Sequence, residues 1–337
     1  MRSRICALLA LAAVSAACGG SPSGPSGSPP ANVLEGHTVN VLDGAATAGL
    51  TVSVGHDKSS TTDGNGYFRI DVGGDGAHWL TVYGAGVVNR ETMISGLNGQ
   101  PARVSLIPAS FDLNAFDEMF RSSSRLLRWT ERPALVVLGS VMTYSPNGDD
   151  RFSATSERVS DGDLAAIVAH LEEGLALLTA NTFTTFSSIE TEHPAAGEQV
   201  SVQRSGAIVV GRYRGVQATG AIGYGQWAES ASGAVVGGSM FLDDEFDRRD
   251  DRRRLLRIHE LGHALGYGHV TSRDSIMNPM LGSEVMEFDR SGATIAFQRP
   301  PGNRSPDSDG AAGGATQNAE TGAATYQWSD RIPCGRR

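Results

Sequence analysis

Three histidines and a glutamate fall within one short run, His259-Glu260-Leu261-Gly262-His263-Ala264-Leu265-Gly266-Tyr267-Gly268-His269. Residues four apart on a helix share a face, so His259 and His263 can offer lone pairs to one ion from a single turn. Glu260 sits about 100° round the helix from His259, close enough to reach a water on that ion without binding the ion itself. Gly266 lets the chain leave the helix by a left-handed bend, and His269 can then swing back as a third ligand. Three protein ligands leave a fourth position to water, which separates catalytic zinc from closed structural zinc. A bare His-Glu-x-x-His arises by chance in on the order of one in a hundred such chains. Adding Gly266 and His269 lowers that to roughly a few in a hundred thousand, so a helix that merely happens to carry histidines is set aside.

Beyond His269 comes Ser275-Ile276-Met277-Asn278-Pro279-Met280, which sets Met277 in an apolar, turn-prone stretch. With that addition the chain resembles the metzincin zinc endopeptidases. The interval from His269 to Met277 and the Ile-Met-x-Pro wording are most similar to the matrixin branch. The resemblance implies that His259, His263 and His269 bind one zinc ion, that Glu260 is the general base, and that Met277 forms an apolar floor beneath the ion. It also implies an α+β catalytic domain with a twisted mixed sheet, a zinc helix, a methionine turn and a C-terminal helix. Val270 departs from the Ser usual in matrixins. Pro279 stands where astacin-like and serralysin-like relatives carry a tyrosine near the metal, so no tyrosine ligand is assigned. The resemblance is close over residues 250–282 and loose over 110–300.

The 337 residues, 40% of them hydrophobic, suffice for two cores. A net charge of −9 argues against nucleic acid and against general adhesion to anionic lipid. Residues 1–17 read as an export signal: Arg2 and Arg4 precede an apolar run from Ile5 to Ala17 that is too short to span a bilayer. Ser15-Ala16-Ala17-Cys18 resembles a bacterial lipoprotein cleavage site, with Cys18 as the acylated N-terminus, although Ser15 replaces the usual Leu. Cleavage after Ala17 without lipidation is the alternative. Residues 18–30 then form a Gly/Ser/Pro linker able to hold a domain off a membrane. The expected location is the cell envelope, or the medium if no lipid is added. Of the other cysteines, Cys6 leaves with the signal and Cys334 has no partner for a disulfide.

Residues 31–107 read as an all-β sandwich domain, with short β-prone runs such as Tyr67–Val72 and Trp79–Tyr83 between Gly and Asp clusters. The Thr61–Phe68 wording resembles the regulatory-like domains beside carboxypeptidases, and Asp63-Gly64-Asn65 is read as a plain hairpin rather than a calcium loop. Residues 110–300 carry the catalytic pattern. Expected there are a lead-in helix over 115–127, a strand over 134–138, and a helix from Asp161 to about Thr182. A strand at 207–210 follows, then a third strand over 234–242 broken by Gly237-Gly238, and a last helix over 288–297. The strand near 233–242 is expected to be the sheet edge on which a peptide lies. Asp250 and Asp251 would start the zinc helix, and the arginines of 248–257 would be its solvated beginning.

Other candidates are weaker. Asp243, Asp244 and Glu245 are loosely similar to a matrixin calcium strand, and a Ca²⁺ site there is weighed against a solvated acidic turn. Phe241 stands where a structural zinc would need His. His37, His56, His78, His170 and His193 lack partners at ligand spacing and read as surface residues. Residues 301–337 read as a flexible tail, with Asp307–Gly310 a loop and Tyr326 and Trp328 able to dock its end. Matrixins keep their zinc latent with a propeptide cysteine in a Pro-x-Cys-Gly context. Pro333-Cys334-Gly335 differs in order and position; a thiolate reaching zinc is chemically sensible, but Cys334 is read first as an inert tail thiol. The resulting expectation is an exported zinc endopeptidase acting on a protein or peptide. A surface-anchored binding protein with a retired protease domain is the alternative.

Overall fold

The computed structural model describes residues 32–336 apart from 75, 95–99, 148–149 and 311–324. The expected signal 1–17, the lipid site Cys18 and the linker 18–30 lie outside the described residues. Seven strands come first: β1 (Val33–Asn40), β2 (Thr51–Val54), β3 (Lys58–Thr61), β4 (Tyr67–Asp71), β5 (His78–Tyr83), β6 (Arg90–Ile94) and β7 (Ala102–Leu106). They build one sheet in the order β4-β1-β7 and another in the order β3-β2-β5-β6. Phe68 and Ile70, like Leu80 and Val82, turn inward at every second residue, as a half-buried strand requires. One cluster containing Leu34, Val52, Phe68, Leu80 and Val104 joins the two sheets. The Asp63 carboxylate accepts from the Asn65 and Tyr67 amides at 2.8 and 2.9 Å. This turn carries the chain from one sheet to the other and does not close a hairpin.

The rest of the chain runs α1 (Leu113–Phe120), β8 (Arg128–Trp129), β9 (Ala134–Leu138), β10 (Ser140–Thr143), β11 (Arg151–Arg158) and α2 (Asp161–Leu178). Next come β12 (Ile189–Glu192), β13 (Gln199–Ser201), β14 (Ala207–Arg214), β15 (Ala221–Ser230), β16 (Ala234–Asp243), α3 (Asp244–Arg249) and α4 (Arg253–Ala264). Last are β17 (Met280–Leu281), α5 (Glu287–Phe297), β18 (Tyr326–Trp328) and β19 (Ile332–Arg336). The strands β8 to β19 form one mixed sheet of 12, in which β14 is parallel to β9, β10 and β16 while β15 is antiparallel to β16. Helices α2, α4 and α5 bury Leu171, Leu175, Ile258, Leu261 and Ile295 in the main core. Among the described residues no helix is long and apolar enough to cross a membrane.

Several expectations need correction. Gly237-Gly238 does not break a strand: β16 runs through it, and a Cβ at Gly238 would meet the Ala264 backbone at 2.8 Å, so glycine lets α4 lie close on the sheet. Nor is β16 an edge, since β14 and β15 flank it. Helix α4 starts at Arg253 behind Arg252, not at Asp250. Its Arg257 is fully buried rather than solvated, and His170, half-buried, lies 3.0 Å from that guanidinium.

The described parts of residues 301–337 are not a free tail. Asn303 and Asp307 are fully buried, Asp309 is nearly so, and β18 and β19 join the large sheet. The Arg299 guanidinium grips Asp307 at 2.7 and 2.8 Å, and Arg90 of β6 grips Asp309 at 2.5 and 2.7 Å. This loop therefore ties the small sheets to the large one.

The acidic residues weighed as a calcium site each have a partner within the protein. Asp243 caps α3 through the Phe246 amide at 2.9 Å, Asp244 pairs with Arg248 at 2.7 Å, and Glu245 faces Arg249 at 3.6 Å.

A buried ion trio anchors α4. Asp247 accepts from Arg257 at 2.7 and 2.8 Å and from Arg212 of β14 at 2.7 Å, and all three are at most 1% exposed. Replacing Asp247 by Asn leaves two guanidinium groups poorly compensated, and should cost about 3–5 kcal/mol in urea unfolding. The loop at Asp309 predicts a pH effect. Burial alone would raise this carboxyl, but hydrogen bonds and charge from Arg90, with Thr92 and Asn303, hold it below the usual range. Its contribution is complete above about pH 4 and is lost as pH falls through the depressed value. Asp309→Asn should flatten the acid limb of the stability curve below about pH 4 in thermal melts.

Candidate metal centre

Helix α4 presents His259, Glu260 and His263, all fully buried, and ends just before Gly266. Gly266 has φ +99°, and a Cβ there would meet Val235 at 2.8 Å, so the expected bend needs glycine on both counts. The bend turns the chain back and brings His269, half-buried, to the other two rings. His263 Nε2 lies 3.1 Å from His259 Nε2 and 3.2 Å from His269 Nε2. A tetrahedral ion about 2.0–2.1 Å from each nitrogen would set them about 3.3 Å apart.

Hydrogen bonding fixes the tautomers. His259 Nδ1 donates to the Ile276 carbonyl and His263 Nδ1 to the Tyr267 carbonyl, both at 2.7 Å. In neutral rings those two Nε2 atoms then carry lone pairs and no proton. Burial, with the neighbouring His269 imidazole, pushes His259 down to about 3, and burial pushes His269 down to about 4. His263 falls well below its ordinary value for the same reasons. The three rings are thus neutral near pH 7, their Nε2 atoms converge, and the group could hold a metal ion. The donor set suits zinc.

Glu260 is the other unusual group. Neither of its carboxylate oxygens has a hydrogen-bond partner in the protein, and burial raises its pKa well above the ordinary carboxyl range. It faces β15, where a Cβ on Gly223 would overlap Glu260 Oε1 and one on Gly225 would overlap His263. Those two positions, alternate along a strand, keep the sheet side of the site open to the carboxylate.

Met277 lies under α4, where its Sδ occupies the space a Cβ on Gly262 would need. The turn that carries it is held by Asp289 of α5. That carboxylate accepts from Ser275 Oγ at 2.5 Å, from the Ile276 amide at 3.0 Å and from the Met286 amide at 2.7 Å. Val270 N closes the loop on the Met277 carbonyl at 2.9 Å. Trp129 Nε1 meets the Ala264 carbonyl at 3.1 Å and so caps the end of α4. Glu118 of α1 accepts the Thr271 and Ser272 amides at 2.7 and 3.2 Å.

Sequence reasoning missed Asp289, Trp129, Glu118 and the whole of β15. The alternate glycines of Ile222-Gly223-Tyr224-Gly225 were the available signal for the strand. Cys334, expected to be an inert tail thiol, is fully buried, and His259, Glu260 and Cys334 offer ligand atoms within 4.8 Å of one another.

Residues 223–305 match the family model Peptidase_M10, described as Matrixin. No curated protein matches the chain. The matrixin-like segment runs from β15 past α5, so it takes in the three histidines, Glu260, Met277 and Asp289. It supports a metzincin-like metallopeptidase, a family that implies zinc. It leaves out α1, α2 and the strand β19.

Asp289 holds the turn whose Ile276 carbonyl orients His259, so it acts on that candidate ligand from one step behind. Its replacement by Ala should weaken zinc binding by about 10–100-fold in competition with a chromophoric chelator, with the fold retained.

Proposed function

We propose that the protein is an exported zinc endopeptidase in which His259, His263 and His269 hold the metal and Glu260 moves the proton. The observation that carries this reading is the convergence of three imidazole Nε2 atoms, two of them left unprotonated by their Nδ1 hydrogen bonds, beside a buried carboxylate without a partner. Bound there, zinc would supply Lewis acidity toward the scissile carbonyl and the attacking water. Glu260 would accept the proton of that water and pass it to the leaving amine, a role suited by a carboxyl whose pKa burial raises well above its ordinary range. The carbonyls of Ile276 and Tyr267 keep the two helix-borne ligands in one tautomer and orientation. Met277 closes the site from below with an apolar side chain.

The substrate would be an extended peptide laid along β15, the strand whose glycines face Glu260, and not along β16 as the sequence suggests. A cavity of about 400 Å³ lined by Thr219, Tyr224, His269, Pro279 and Met280 opens beside the third histidine and would take a substrate side chain. In the same reading the first seven strands are a β-sandwich spacer, and a lipid on Cys18 holds the enzyme at a bacterial envelope. No observation favours a non-catalytic binding protein.

Zinc analysis of the full chain beside two variants tests this. The wild type should bind one zinc per chain, and His263→Ala should lose it. Glu260→Gln should keep the metal while its cleavage of a quenched-peptide library falls by about 10²–10⁴-fold. Correctly folded wild type that takes up no zinc would end the reading.

A further inference from the structure

Strand β19 lies along β15 as an extended peptide would. It is antiparallel to β15, with Ile332 opposite Gly225 and Cys334 opposite Gly223, and parallel to β17, with Gly335 opposite Met280. Side chains alternate between the two faces of a strand. Ile332 packs on the main core and Cys334 belongs to it, so both point toward α4. Arg331 points to the other face, that of the second core cluster. There its guanidinium sits over the rings of Tyr144, Phe152 and Phe241 at 4.9–5.5 Å and donates to the Ser145 carbonyl at 2.8 Å.

These rings form a box that the sheet builds without help from β19. Tyr144 follows β10, Phe152 is on β11 and Phe241 on β16, with Tyr213 of β14 and Tyr224 of β15 beside them. Tyr144 stacks on Phe152 at 6.1 Å and on Tyr224 at 5.3 Å, while Phe241 meets Phe152 at 5.3 Å and Tyr213 at 5.1 Å. The rings thus hold one another in place, and the guanidinium enters a site already shaped. Ring faces attract a cation, more strongly out of water. A planar guanidinium also stacks on them, which an ammonium does not.

We infer that the aromatic box is a specificity subsite of the peptide cleft, selecting substrates with an arginine three residues before the residue that faces Glu260. The inference rests on the reading of β15 as the substrate edge of a zinc endopeptidase. Gly223 leaves room for Glu260, so the residue opposite Gly223 presents its carbonyl for attack. In this chain Cys334 takes that place and Arg331 takes the selected one, three residues earlier. A substrate and β19 compete for one edge. A peptide that brings its own guanidinium replaces both the strand pairing and the ring contacts, whereas one without it leaves the ring faces bare. Selectivity is that difference.

Two measurements on the full chain separate the subsite from the zinc site. Arg331→Ala vacates the box. N-acetyl-arginine methylamide should then shift the ring resonances of Tyr144 in nuclear magnetic resonance spectra, and N-acetyl-citrulline methylamide, of like shape without the charge, should not. This readout needs no metal. Zinc-loaded Arg331→Ala should also cleave a peptide with arginine at the selected position about tenfold more efficiently in kcat/KM than its citrulline counterpart. The difference should lie in KM, since the contact is remote from the scissile bond. Adding Tyr144→Leu should erase this preference and spare those at other positions.

Equal shifts from the two amides, or none from either, overturn the guanidinium site whether or not zinc binds. Arginine-specific shifts with equal cleavage of the two peptides, or with no cleavage by zinc-loaded protein, overturn the subsite and leave the box as an anchor for Arg331. Should Arg331→Ala misfold, the cut sites of the wild type in a peptide library decide. Arginine enriched at the selected position supports the inference, and its absence there overturns it. Folded protein that takes up no zinc defeats the zinc-site reading, while the amide shifts still judge the box.

Discussion

Lone pairs repel, and the fold commits much of its structure to bringing three imidazole nitrogens, two of them bare, toward one point. His263 Nε2 stands 3.1 and 3.2 Å from its two counterparts, and the rings of α4 have already committed their protons to backbone carbonyls. A cation between them turns that repulsion into attraction. Each neighbouring element limits one way the rings could relax apart. Trp129 holds the end of α4 and Gly266 sets the angle of return. Asp289 fixes the turn that supplies the Ile276 carbonyl. On the opposite side of α4, Asp247 binds Arg257 to Arg212, which stops the helix rotating or sliding on the sheet.

These anchors are themselves charged and buried, and the fold handles that cost by completeness. Asp247 meets two arginines, and Asp307 meets Arg299 and Arg90 while also accepting from Asn303. A buried charge is tolerated when its lone pairs and protons are all taken. Glu260 is the contrast. Its two oxygens are buried with no protein partner, an arrangement that penalises the resting fold and that chemistry at this position can use.

The parts of this design that were legible in the sequence are those written locally. The histidine spacing, the bend at Gly266, the Met277 turn and helix α5 could be read because helical geometry and glycine's backbone freedom act within a few residues. What escaped was set by distant partners. Arg257 reads as one of several arginines at a solvated helix start, and only the approach of Asp247 and Arg212 makes it a core residue. Gly237-Gly238 reads as a strand break, yet the glycines serve the close approach of α4. Strand β15 was overlooked because its glycines, needed by Glu260 and His263, dilute the β-prone alternation. Asp307 and Asp309 sit in a polar, small-residue stretch whose composition suggests a tail, and arginines up to 219 positions away fix their place. The last residues carry no periodic pattern, and their pairing depends on a strand that was itself unread.

The covering of β15 also bears on how the molecule behaves in a crowd. A strand of ten residues, flat enough to lie against a helix and bare of side chains at Gly223 and Gly225, is the sort of edge along which foreign chains add. With β18 over Ala228–Ser230 and β19 over Ala221–Gly225, those stretches of backbone already have partners within the chain. The same few residues thus act as a selvedge for the sheet. A molecule trimmed of them carries a raw edge, and its lifetime in solution is set by how soon that edge meets another.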